Sequence, residues 1–114
     1  MSSLFTKIIR SEIPSYKIFE DDLIFSFLAL DQVNLGHTLV VPKIEINGYW
    51  DCPEPHYTAV FQAAKKITLA LLKTTGCPRV ATVIAGFEVH HFHYHLIPAW
   101  GISDISFAKA QRRT

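Results

Sequence analysis

Residues 89–97 read VHHFHYHLI and contain four of the chain's six histidines. Between the imidazoles stand aromatic and aliphatic residues of the kind that favour strands. In a strand, side chains at i and i+2 share a face, about 6–7 Å apart. His91, His93 and His95 then line one face, and His90, Phe92, Tyr94 and Leu96 the other. The apolar face must pack on something. The imidazole face needs polar partners or solvent, because buried polar groups have to be hydrogen-bonded. His90, on the apolar side, reads as a strand-edge histidine.

Working outward, RVATVIA (79–85) is a further strand, separated from the histidines by Gly86. From about Pro55 to Lys73 the apolar period becomes helical. Val60, Ala64, Ile67 and Leu71 form one stripe, while Gln62, Lys65, Lys66 and Lys73 lie off it. Gly76 and Pro78 end that helix. The segment 43–54, with Asn47, Gly48 and Pro53, reads as a loop, and Asp51 is a candidate helix cap. HTLVVP (37–42), LIFSFLAL (23–30) and YKIFE (16–20) are strands joined by short links, so they pair antiparallel. Leu4, Phe5, Ile8 and Ile9 have the spacing of a short amphipathic helix, broken by Pro14 in SEIPS. The tail from Trp100 onward has no clear pattern. The expectation is an α+β fold: an antiparallel β-sheet with one long helix and a short N-terminal helix, as a single domain over 1–114.

Composition narrows the function. With 114 residues, 49% hydrophobic and 18% charged, the chain can bury one core. A formal net charge of +1 argues against broad electrostatic capture of nucleic acid or a membrane surface; only QRRT (111–114) is locally basic. No apolar run is long enough to span a bilayer, and MSSLFTKIIRSE lacks a signal-peptide pattern. A cytoplasmic protein is expected. Cys52 and Cys77 form no CxxC pair and fit reduced, non-catalytic thiols.

Three imidazoles on one face admit three readings. They can ligate a metal such as zinc. They can supply a neutral nitrogen nucleophile with flanking groups that orient it and handle protons. Or they are satisfied surface histidines. Spacing leaves all three open.

Three sequence blocks favour the second. HFHYHLI (91–97) resembles the His-x-His-x-His signature of the histidine-triad family of nucleotide hydrolases and transferases. FTKIIRSEIPSYKIFEDD (5–22) is similar to that family's N-terminal segment. GHTLVVPK (36–43) resembles its central strand, and AGFEVHHFHYHLIP (85–98) carries a glycine ahead of the triad as the family does. The resemblance implies a homodimer acting on a purine nucleotide or nucleoside phosphoramidate, with no metal or cofactor. It assigns nucleophilic attack on the α-phosphorus to His93, giving a nucleotidyl-histidine that water hydrolyses. His91 and His95 correspond to the flanking positions that orient the nucleophile and contact phosphate, and His37 to a fourth, supporting histidine. Phe5, Ile8, Ile13, Phe27 and Leu30 match the apolar base pocket.

Some positions depart from the family pattern. Phe87 stands where a glutamine is frequent, and Glu88 follows at a position near the leaving group. Ala29 replaces a common ribose-binding aspartate; Asp31, two residues on, can serve instead. His90 replaces a frequent proline, and the segment between Arg79 and Gly86 lacks an asparagine. The catalytic histidines are intact while substrate-positioning groups differ. That contrast sets a nucleotidyl hydrolase against a non-catalytic nucleotide-binding dimer.

Overall fold

The computed structural model describes residues 2–112. Arg113 and Thr114, the end of the basic tail, lie outside them. Helix α1 (Leu4–Ile9) is followed by strands β1 (Lys17–Glu20), β2 (Ile24–Leu28), β3 (Asp31–Gln32) and β4 (Thr38–Pro42). Helix α2 (His56–Thr75) comes next, then β5 (Arg79–Val83), β6 (Tyr94–Ala99) and the short β7 (Gln111–Arg112). A five-stranded antiparallel sheet runs β1-β2-β4-β6-β5, and β3 pairs with β7 in a separate ribbon. The α+β expectation holds, with the long and the short helix in place.

Strand alternation divides the core in two. Ile24, Val40, Phe92 and Leu96 pack with Val60, Ala63, Ala64, Ile67 and Leu71 of α2, the stripe that the sequence shows. On the opposite face Phe25, Phe27, Leu39 and Val41 pack with Phe5 and Ile8 of α1. Helix α2 thus backs the sheet, and α1 flanks the functional face.

Several boundaries differ from the sequence reading, each for a local reason. The histidine strand begins at Tyr94, not at Val89. Its partner β4 ends at Pro42, which has no N–H for the ladder. The Phe92 N–H instead donates to the Ile46 carbonyl at 2.6 Å. Asp51 does not cap α2; it lies in a 3₁₀ turn, Tyr49–Asp51. Glu54 does that work, its carboxylate accepting from the Thr58 N–H at 3.0 Å and the Thr58 hydroxyl at 2.6 Å. Residues 23–30 are not one strand: β2 stops at Leu28, and β3 turns away to pair with the tail. In that tail, 3₁₀ turns at Ile102–Asp104 and Phe107–Lys109 lead to β7, held by Lys109–Asp104 and Arg112–Asp31 ion pairs.

Candidate active site

The register builds the site. Phe27 of β2 lies opposite Leu39 of β4, which lies opposite His95 of β6. His37, two residues before Leu39, falls on the same face. The irregular segment 87–93 brings His93 beside them. Together these residues line a cleft of about 540 Å³, a size suited to a small ligand. Phe5, Ile8, Phe27 and Leu30 give it apolar lining, and Asp31, Phe87 and Glu88 line it as well. Ile13 packs against the α1-side core and is not among the lining residues. Phe87 is 88% exposed, so its ring borders the cleft without filling it.

Backbone partners fix the protonation of the rings. The Val33 N–H donates to His37 Nδ1 at 3.1 Å, so the proton of neutral His37 sits on Nε2. His37 Nε2 then donates to His95 Nδ1 at 2.9 Å, which leaves the His95 proton on its own Nε2. His93 runs the other way. Its Nδ1–H donates to the His91 carbonyl at 2.7 Å, leaving Nε2 with a free lone pair. The His93 and His95 ring centroids are 4.9 Å apart. A ring with an unprotonated Nε2 and a ring with a protonated Nε2 are therefore packed edge to face.

His91 sits behind the cleft, 0% exposed. Its Nε2–H donates to the Pro42 carbonyl at 3.0 Å, and its Nδ1 accepts from the Ser3 hydroxyl at 2.7 Å. Both ring nitrogens are used within the protein. His90 is exposed and lies in the irregular segment before β6, not at the edge of a strand as the sequence reading expects.

Burial holds these rings neutral. It lowers His37 to about 4 and, together with neighbouring His93 and His37, His95 to about 3. His93 is lowered by burial, opposed by its bond to the His91 carbonyl and by the Glu88 carboxylate. His91 is lowered by burial, opposed by the Pro42 carbonyl and Glu45.

Several contributors escaped the sequence reading. Phe107, from the unassigned tail, places its ring centroid 4.8 Å from that of His95. Leu39 and Val89 also line the cleft. Nothing local in the sequence marks Phe107, because the β3–β7 pairing that brings it there is long-range. Among the described residues, no group of three or more His, Cys, Asp or Glu side chains is arranged to hold a metal ion. Cys52 and Cys77 are free thiols.

Comparison with known proteins places this geometry. The HIT domain family matches residues 10–101. Protein hit of Bacillus subtilis is 36% identical over 89% of this chain and 73% of its own length. The adenosine 5′-monophosphoramidase of Saccharomyces cerevisiae is 38% identical over 83% of this chain and 61% of its own. The crystal structure of a HIT family member from B. subtilis superposes with a TM-score of 0.84 at 35% identity, covering 91% of this chain and 77% of that one.

Proposed function

The chain belongs to the histidine-triad family, and from that premise we propose that it hydrolyses purine nucleoside 5′-phosphoramidates or related nucleotidyl compounds at the α-phosphorus. The observation that carries this reading is the opposite protonation of two neighbouring rings, with Nε2 bare on His93 and hydrogen-bearing on His95.

In this reading His93 Nε2 attacks the α-phosphorus and the P–N bond breaks. The amine leaves with a proton drawn from solvent. The nucleotidyl-imidazole retains its Nδ1–H on the His91 carbonyl, which stabilises the positive charge that the ring acquires. His95 Nε2–H donates to a phosphoryl oxygen as charge builds there, and His37 keeps that proton in position. Water then displaces the imidazole, giving the nucleoside monophosphate and free His93. The base occupies the cleft between Phe5, Ile8, Phe27 and Leu30, with Asp31 at the ribose edge. The Glu88 carboxylate, which lines the cleft and acts electrostatically on His93, favours an amine leaving group over an anionic one. The reading includes a homodimer, supported by the free sheet edge at β5; sedimentation at several concentrations checks it.

The test is steady-state turnover of adenosine 5′-phosphoramidate by wild type and His93→Ala. The expected result is a loss of at least about 10³-fold in kcat with nucleotide binding retained. Equal turnover in the two proteins overturns the reading. A second reading, nucleotide binding without turnover, draws on Phe87, whose side chain offers no hydrogen bond to phosphate. It expects nucleotide binding with wild-type turnover no better than that of His93→Ala.

A further inference from the structure

Behind the cleft lies a polar cluster that the reaction scheme leaves unused. Glu45, in the loop after β4, is exposed. Its Oε1 accepts from the Ser3 N–H at 2.6 Å and from the Thr6 hydroxyl at 2.7 Å. Ser3 caps α1, its hydroxyl oxygen accepting from the Thr6 N–H at 3.0 Å. The same hydroxyl lies 2.7 Å from His91 Nδ1 and 3.1 Å from Thr6 Oγ1. Thr6 Oγ1 is also 3.5 Å from His91 Nδ1.

Proton counting gives this cluster a direction. Each hydroxyl has one proton to donate. The Thr6 proton is committed to the carboxylate, the strongest acceptor present. The Ser3 proton takes the nearer acceptor, His91 Nδ1. His91 Nδ1 is then an acceptor and its Nε2–H must donate, which it does to the Pro42 carbonyl. With both nitrogens engaged the His91 ring cannot turn, and its own carbonyl holds His93 Nδ1–H. Phe5, also on α1, adds a packing contact to His93 with centroids 4.8 Å apart.

We propose that Ser3, Thr6 and Glu45 are positioning residues, a carboxylate–hydroxyl clamp that holds the His91 ring against the Pro42 carbonyl and, through the His91 carbonyl, aims the nucleophile. The catalytic part of this inference rests on the proposed hydrolase activity. The structural part does not.

The experiment therefore has two readouts on the full chain. The first is the tautomeric state of His91 and His93, read from long-range ¹H–¹⁵N spectra of histidine-labelled protein at neutral pH. Wild type is expected to show His91 protonated at Nε2 and His93 at Nδ1. Ser3→Ala and Glu45→Ala are expected to keep His91 protonated at Nε2, as the Pro42 carbonyl requires, and to shift and broaden the His91 and His93 signals as both rings lose their fixed positions. The second is kinetics with adenosine 5′-phosphoramidate. The alanine variants are expected to lose roughly 10–100-fold in kcat with KM within about twofold, a mispositioned nucleophile acting on a substrate that still binds. Ser3→Thr keeps the hydroxyl and Glu45→Gln keeps an acceptor oxygen, so both are expected to recover most of the loss. Unshifted and unbroadened His91 and His93 signals in the alanine variants overturn the clamp, as does a fall in melting temperature with kcat intact. If wild type shows no turnover, the hydrolase reading fails, and the spectra alone decide the clamp.

Discussion

At the residue scale, the proposed reaction turns on which nitrogen of His93, His37 and His95 carries a proton. Two backbone groups decide it: the His91 carbonyl for His93, and the Val33 N–H for His37 and so for His95. His93 must be neutral to attack, and burial lowers it from its ordinary value of 6.5. The acid limb of kcat/KM is therefore expected to have its midpoint below pH 6.5, with a plateau at neutral pH. A midpoint at or above 6.5 in a pH–rate profile contradicts this. A different residue, Ser26, is 0% exposed, and its hydroxyl has no hydrogen-bond partner among the described residues. Ser26→Ala removes an unsatisfied buried group, so a stability gain of about 1 kcal/mol is expected in denaturant unfolding. The family resemblance singled out His93, His95 and His37 in the sequence, and the fold brings all three to one cleft. The direction of each proton was not legible there, because it depends on carbonyls and N–H groups that only the folded chain brings near.

At the element scale, the two faces of the sheet were readable where side chains alternate cleanly. Ile24 and Phe25, or Leu39 and Val40, go to opposite cores as period-2 patterning requires. The pattern failed at the start of β6. There His93 keeps to the cleft and Phe92 to the α2 side, but the ladder is lost because Pro42 offers no donor. Alternation in sequence told which way the side chains point and did not tell where pairing begins. The tail was illegible for a related reason, since β7 exists only through β3, some 80 residues earlier in the chain. Helix α2 ends as its Gly76 signals, with φ of 74°. A Cβ there meets nothing within 4 Å, so the penalty of Gly76→Ala is conformational alone. A loss of about 1 kcal/mol is expected by thermal unfolding; an unchanged melting temperature contradicts the left-handed cap.

At the scale of the whole molecule, holding four imidazoles neutral makes stability depend on pH. His37 and His95 lie at about 4 and about 3, and His91 and His93 are also lowered. The unfolded chain takes up these protons near 6.5 and the folded chain does not. Between those values the unfolded state binds more protons, so stability falls as pH falls. Each such site contributes up to about 1.4 kcal/mol per pH unit below 6.5. Melting temperature is thus expected to be flat above pH 7 and to drop between pH 7 and 5, before the lowered carboxylates Glu20, Glu45, Glu54 and Asp104 begin to protonate. The His37→Phe variant is expected to flatten that drop. An equal slope in the variant contradicts the assignment.

The most direct test of the central claim is a rapid-quench experiment with adenosine 5′-phosphoramidate, followed by mass spectrometry of the intact chain and its peptides. The account predicts an acid-labile adenylyl adduct on the peptide carrying His93, attached through Nε2, in wild type and absent from His93→Ala. Turnover without any such adduct, or an adduct on His91 or His95 instead, contradicts it.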